Sequence, residues 1–352
     1  MKFGKQLLRH FSHDIGIDLG TSSTLVYVKQ KGITISEPSV VAINTRNDQI
    51  VAVGADAKSM LGKSPKHIEI IRPLVSGVVS DFEVTEKMLK YFIDKVHQES
   101  FTLLPRPRII IGIPLEITEV ERKAVMDAAV SAGASEVFLV EEPMASAIGA
   151  RMPVQESVAS MIVDMGGGTT NIAVFSLLGA VTWKSIRLAG DELNRNIVNY
   201  IREQFNLLIG ERTAESIKIA IGTATPIPAN EKLEMNVRGR DLLTGLPKEM
   251  VINDMQVREA MMRSIRLIID NIKTVIENTP PELTADIHQR GIVLSGGGAL
   301  LKGFDTLIAQ ETNIPVHVVD DPLTAVVRGT GILIENEDLL KNVIINETQP
   351  SI

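Results

Sequence analysis

The chain has 352 residues, 44% of them hydrophobic and 22% charged, the balance of a folded protein with room for two domains of ordinary size. A net charge of −7 lacks the basic surplus of a general nucleic-acid binder, so no nucleic-acid partner is expected. There is no cysteine, which excludes disulfides and thiol chemistry, and the six histidines show no metal-ligand spacing.

In chain order, the first eleven residues lack the apolar run and cleavage site of a secretory signal. No later stretch approaches the roughly 18 apolar residues of a membrane span. On a helix, Phe3, Leu7, Leu8 and Phe11 share one face while Lys2, Lys5, Arg9 and His10 take most of the rest, the pattern of an interfacial helix. A short arm packed on its own domain is the alternative, because Gly4 weakens so short a helix. Apolar runs at 15–19, 24–28 and 33–36 predict a strand meander with a turn at Gln30, Lys31 and Gly32. Runs at 40–43 and 50–53 predict a hairpin around Asn47 and Asp48. Met88, Leu89, Phe92, Ile93 and Val96 form a helical stripe over 85–97.

The connection that follows carries Phe101, Leu103 and Leu104, flanked by Arg106 and Arg108. Bulky apolar residues in a loop suggest docking; tips folded back into the core are the alternative. Residues 109–113 read as a strand buried on both faces. Thr118 and Glu121 form a capping box for a helix that stops at Gly133. After a strand at 137–140, Pro143 suits the first helical position and puts Glu142 at or beside the helix start.

The second half repeats the scheme from residue 160. Helical patterns follow at 192–208 and 255–277, the latter with a stripe of Val257, Met261, Ile265, Ile268, Ile272 and Val275. A polar segment containing Gly and Pro lies between, at 222–250. A third glycine cluster, Gly296, Gly297 and Gly298, follows the apolar run at 292–294, where a strand hands over to a helix.

The chemistry concentrates in a repeated motif. Ile17-Asp18-Leu19-Gly20-Thr21-Ser22 and Val163-Asp164-Met165-Gly166-Gly167-Gly168-Thr169-Thr170 each join an apolar strand, an Asp, a tight turn and a second apolar strand. Such turns present N–H groups and hydroxyls to phosphate oxygens, glycine letting the backbone approach the ligand. The Asp beside each turn can hold a hydrated divalent cation. Two such hairpins are suited to clamping a nucleotide polyphosphate with Mg²⁺. With the third glycine cluster, they have the order of phosphate, phosphate and adenosine loops in the actin/Hsp70/sugar-kinase superfamily.

Further segments narrow the resemblance. Gly112-Ile113-Pro114, Leu139-Val140-Glu141-Glu142-Pro143-Met144-Ala145, Gly210-Glu211-Arg212-Thr213-Ala214-Glu215, Thr279-Pro280-Pro281-Glu282-Leu283 and Asp321-Pro322-Leu323-Thr324-Ala325 all resemble the MreB family of bacterial actins, over about residues 12–335. The resemblance implies an α/β, actin-like (ribonuclease H-like, duplicated) two-domain fold with a nucleotide cleft. The first domain is expected at 1–155 plus 325–352, with an inserted subdomain at about 42–84. The second is expected at 156–324, with an insert at about 192–255.

By the same resemblance, Asp18 and Asp164 hold Mg²⁺ largely through water. Gly20, Thr21, Ser22, Gly166, Gly167, Gly168 and Thr169 wrap the phosphates of ATP. Glu142 and Thr169 orient the attacking water, a helix-capping role being the alternative for Glu142. Glu215 and Lys218 bracket the ribose and adenine, with Gly296, Gly297 and Gly298 against the base; a solvated ion pair is the alternative for the first two. The implied function is a slow ATPase that polymerises into double protofilaments governing cell shape. Its implied location is the cytoplasm, peripherally attached to an anionic inner membrane face, with other copies of itself and membrane proteins of the cell-shape machinery as partners. The membrane contacts are Phe3, Leu7, Leu8, Phe11, Phe101, Leu103 and Leu104. Asn171 departs from the acidic residue common after the paired threonines, which bears on hydrolysis rate, and Ala220 and Ser22 also depart from the usual pattern. A small-molecule kinase or phosphatase of the same superfamily is the competing reading, though no acceptor base or sugar-binding insert stands out. A chaperone of the Hsp70 type would need a substrate-binding domain beyond residue 352.

Overall fold

The computed structural model describes residues 13–98 and 106–345. The proposed membrane contacts Phe3, Leu7, Leu8, Phe11, Phe101, Leu103 and Leu104 therefore lie outside the described residues. Over the described residues the chain divides into two compact units. The first runs up to Val158 and adds Phe175–Ala180 and the residues from Leu323; the second comprises Ala159–Val174 and Val181–Pro322.

In the first unit, strands β1 (Ile15–Leu19), β2 (Ser23–Val28) and β3 (Gly32–Pro38) form the expected meander, and β9 (Arg108–Ile113) and β10 (Glu136–Glu141) extend it in the order β10-β9-β1-β2-β3. β1 runs antiparallel to β2 but parallel to β9, and β9 parallel to β10. A small sheet of β4 (Val41–Asn44), β5 (Gln49–Val53) and β6 (Ile68–Ile71), with helix α1 (Ala55–Ser59), and a two-stranded ribbon of β7 (Leu74–Val75) and β8 (Val78–Val79) precede helix α2. The β4–β5 turn works because Asp48 adopts φ 55°, the left-handed region that Asn and Asp tolerate.

Helix α2 (Phe82–His97) buries Met88, Leu89, Phe92 and Ile93 on one face of the main sheet, beside α3 (Glu119–Ser131). Thr118 and Glu121 form the anticipated reciprocal cap on α3. The other face receives α4 (Glu142–Gly149) and α10 (Ala325–Glu335), which is followed by α11 (Glu337–Val343). α4 and α10 approach so closely that Gly149 lies against the Ala325 carbonyl and Gly329 against the Ala145 carbonyl, contacts that a side chain at either glycine would prevent.

The second unit repeats the strand plan: β11 (Ser160–Met165), β12 (Thr170–Ser176) and β13 (Gly179–Ile186), then β17 (Ile292–Ser295) and β18 (Val316–Val318), in the order β13-β12-β11-β17-β18. β11, β17 and β18 are mutually parallel. Around this sheet lie α5 (Gly190–Phe205), α6 (Glu211–Ile221), α7 (Asp254–Glu277), α8 (Pro281–Arg290) and α9 (Phe304–Thr312). All six residues of the predicted α7 stripe are buried in the core.

Three expectations are corrected. The first helix of this unit stops at Phe205, because Asn206 adopts the left-handed conformation (φ 51°), and Leu207–Leu208 turns away as strand β14. The polar segment at 222–250 contains most of a hairpin, β15 (Glu234–Asp241) and β16 (Pro247–Asn253), paired with β14. Its core-facing side is apolar: Val237 and Ile252 enter the core with Met235 and Met250 packed against it, while Arg238 and Glu249 pair across the other face, where Val251 is exposed. The glycine cluster opens a 3-10 turn, Gly297–Leu300, and the helix proper begins only at Phe304.

Candidate functional site

In open α/β sheets ligands bind beyond the carboxyl ends of the parallel strands. In the first unit those ends carry Asp18, Gly112 and Glu142. Asp18 pairs with Gly112, and Gly112 with Val140, two residues before Glu142. Ile15, Ile17 and Leu19 point into the core beneath α2 and α3. By alternation Asp18 points to the opposite face, where Gly16 meets Thr330 of α10. Gly112 opens onto that same face: a Cβ there would sit 3.1 Å from Val326 and 3.3 Å from the Glu142 Cγ. Asp18 and Glu142 thus stand on one side of the sheet, two strands or roughly 10 Å apart, with a residue lacking a side chain between them.

Glu142 is buried, 7% exposed, as the first residue of α4. The cap position itself belongs to Glu141, which makes no side-chain cap bond and whose carboxyl burial raises above its usual range. Glu142 thus opens the helix one position after the cap.

The 20–22 loop is fixed from behind by Ser39. Its hydroxyl donates to the Gly20 carbonyl at 2.5 Å and lies 2.8 Å from Thr24 Oγ1, while its N–H donates to the Ser22 carbonyl at 3.1 Å. Holding those carbonyls sets the peptide planes of the loop, and with them the direction of its N–H groups. Thr21 is buried and its Oγ1 accepts the Gly77 N–H at 2.8 Å, tying the loop to the β7–β8 ribbon; Ser22 is exposed.

In the second unit Asp164 pairs in register with Ser295, whose hydroxyl donates to Asp164 Oδ1 at 2.7 Å. Asp164 is 5% exposed, and burial pushes its carboxyl up to about 6 despite the opposing hydrogen bond. Gly296 (φ 77°) lies over the Met165 carbonyl, where a side chain would both strain the backbone and collide. Gly298 lies against the Met165 side chain. These glycines therefore have a packing duty at the end of β11 as well as any duty toward a ligand.

The 166–169 loop closes on itself through the Gly166 N–H and Thr169 carbonyl at 2.9 Å, and Thr169 is buried. Its carbonyls accept from the start of α5: Gly190 N–H to Gly166 at 3.2 Å and Asp191 N–H to Gly167 at 2.8 Å. Lys218 of α6 donates to the Gly190 carbonyl at 2.8 Å, which brings α6 to the same place, and Glu215 is half-buried one turn earlier. Asn171 lies on the Asp164 side of its sheet, fully buried, its Oδ1 accepting from Ser185 Oγ at 2.7 Å.

Among the described residues no three Asp, Glu or His side chains gather as a ready-made metal cage. Single carboxylates at strand ends match Mg²⁺, which keeps most of its water and relies on one or two carboxylates plus substrate phosphates. A buried carboxylate whose ionised form is disfavoured is also the group that a cation relieves most.

The profile described as MreB/Mbl protein matches residues 12–342. The chain belongs to the MreB/Mbl family. It is 50% identical over 335 residues to the cell shape-determining protein MreB of Escherichia coli, covering 94% of this chain and 95% of that one. To the cell shape-determining protein Mbl of Bacillus cereus it is 49% identical over 330 residues, covering 94% and 98%. Among solved structures, MreB5 of Spiroplasma citri bound to ADP superposes with a TM-score of 0.88 at 33% identity, covering 94% of this chain and 98% of that one. The MamK double helical filament, at TM-score 0.76 and 23% identity over 92% and 99%, shares the fold. The fold of this MreB/Mbl chain is thus actin-like, as the motifs implied.

Four groups that shape the site escape a reading of motifs. Ser39 and Gly77 come from segments remote from the loops they brace, and nothing local marks them. Gly112 stands inside a motif and Ser295 directly before the third glycine cluster, and only strand pairing reveals that they adjoin Glu142 and Asp164.

Proposed function

We propose that this chain binds ATP–Mg²⁺ through its strand-end loops, hydrolyses it slowly and assembles with copies of itself into membrane-associated filaments that serve cell shape. The observation that carries this reading is the duplicated arrangement: in each unit a carboxylate, Asp18 or Asp164, stands at the carboxyl end of a strand paired in parallel with its neighbour, immediately before a braced turn. The relative MreB5 has been solved with ADP and with AMPPNP, which supports a nucleotide ligand.

In this reading the Gly20, Thr21 and Ser22 turn and the Gly166, Gly167, Gly168 and Thr169 turn hold phosphate oxygens. Asp18 and Asp164 accept from the water around Mg²⁺. The ion supplies charge neutralisation at the phosphates. Glu142, rigid at a helix start and facing the gap above Gly112, accepts a hydrogen bond from the attacking water and orients it, and Thr169 is the second residue that the family resemblance assigns to hydrolysis. Positioning of this kind is most of what phosphoryl transfer requires from a protein.

Membrane attachment is supported by how the flanking residues meet. The His13 N–H donates to His97 Nε2 at 3.1 Å, and Arg108 binds Asp14 Oδ2 at 3.0 Å. His13 and Asp14, which follow segment 1–12, therefore lie beside His97 and Arg108, which flank segment 99–105. Among the described residues no helix is long and apolar enough to cross a membrane.

Calorimetry and phosphate release on two variants test the reading. Asp164→Ala is expected to lose ATP–Mg²⁺ binding. Glu142→Ala is expected to keep binding while losing about 100-fold or more in turnover, the usual share of a positioned acid–base group. Parental affinity in the first variant, or parental turnover in the second, contradicts the assignment.

A further inference from the structure

Two elements that the family resemblance assigns to the nucleoside, helix α6 and the 297–300 turn, are joined away from the phosphate loops. α6 ends at Gly222, whose N–H donates to the Lys218 carbonyl at 3.0 Å. The residues that follow run beside the exit of the glycine turn. Thr223 forms a parallel bridge with Lys302, the Ala224 N–H donates to the Lys302 carbonyl at 2.7 Å, and Gly303 lies directly against Thr225. The 222–225 loop therefore sets the spacing between the helix bearing Glu215 and Lys218 and the turn bearing Gly297 and Gly298.

That loop is held by one side chain from α7. Arg258 Nη1 donates to Thr223 Oγ1 at 3.1 Å, to the Thr225 carbonyl at 3.3 Å and to Asp254 Oδ2 at 3.3 Å. Thr223 is fully buried and Asp254 is 1% exposed. A buried ion pair is a poor device for stability alone, since an apolar pair of the same volume commonly serves as well or better. What the pair does supply is a guanidinium fixed in one place, pointing at the loop.

We propose that Arg258, anchored by Asp254, is a positioning residue for the nucleoside half of the site. It pins the 222–225 loop and so keeps α6 and the glycine turn at the separation the nucleoside requires. The inference rests on the proposed assignment of Glu215, Lys218, Gly296, Gly297 and Gly298 to ATP.

Arg258→Met would strand Asp254 as an unpaired buried charge, so the test uses gentler variants. Thr223→Val removes the acceptor and leaves the ion pair intact. Arg258→Lys keeps the charge on a side chain one atom shorter, which ends before the Nη1 position from which Thr223, Thr225 and Asp254 are all reached. Each is expected to weaken ATP–Mg²⁺ binding about tenfold, equivalent to 1.4 kcal/mol. Each should also speed amide exchange at 296–303 without changing it at 166–170, and Thr223→Ser should restore parental affinity. Unchanged ATP affinity in both variants overturns the inference. So does exchange that rises equally in both segments, since that marks general loosening. If the parent itself fails to bind ATP–Mg²⁺, the proposed function fails first; a parent that binds beside unaffected variants removes only the role of Arg258.

Discussion

Replacing Asp164 by Asn should stabilise the nucleotide-free protein above pH 6 relative to its behaviour in acid. The Asp164 carboxyl is buried and ionises only near about 6, against an ordinary value of 3.8. The native state therefore holds this proton more tightly than the unfolded chain does. Its favourable contribution is complete below about pH 4 and is lost as pH rises to about 6, and above that the ionised carboxylate is a constant cost. A shift of roughly two units at 1.36 kcal/mol each puts that cost at about 3 kcal/mol. The asparagine does not titrate, and any penalty for its amide beside Ser295 is independent of pH. Subtracting the two unfolding free energies removes that offset, and the difference should change by about 2 kcal/mol in favour of the variant between pH 4 and 7. Urea titration in EDTA, followed by the single tryptophan, Trp183 on β13 of the same sheet, measures it. Adding ATP–Mg²⁺ at pH 7.5 should then stabilise the parent and not the variant. Parallel pH profiles, or equal stabilisation by nucleotide, would refute the idea that this carboxylate is kept at the expense of stability for a cation.

Two other substitutions probe the edges of the account. Asn171→Asp adds a carboxylate to the buried face that holds Asp164; it should lower stability without nucleotide by about 1–3 kcal/mol and raise the phosphate-release rate, and an unchanged rate detaches Asn171 from hydrolysis. Deleting residues 1–11 together with Phe101→Ser and Leu104→Ser should release the protein from anionic liposomes in a sedimentation assay while leaving polymerisation intact. Each buried Phe or Leu is worth only about 1.5–3 kcal/mol, so attachment depends on many copies acting together, and liposome binding equal to the parent's places the membrane face elsewhere.

Much of the fold was legible because its periodicities are strong. The α7 stripe, the Thr118–Glu121 cap and both meanders stand where the patterns put them. The β15–β16 hairpin was not, because a strand pair with one apolar face and Arg238 or Glu249 on the other looks like a polar loop until a core is there to receive Val237 and Ile252. The site divides in the same way. Asp18, Asp164 and Glu142 announce themselves beside turns and a proline, whereas their neighbours are set by register. Gly112 adjoins Glu142, and Ser295 adjoins Asp164, only because parallel strands bring distant segments level. Arg258 lies on the polar side of a helix stripe, where nothing local distinguishes it from a solvated cation.

The central claim, nucleotide-driven self-assembly, is tested most directly by negative-stain imaging of the purified protein with and without ATP–Mg²⁺ across a range of protein concentrations. The account predicts filaments with ATP–Mg²⁺ above a threshold concentration and none, or far fewer, without it. Absence of filaments at every concentration in a protein shown to bind ATP–Mg²⁺ would contradict it.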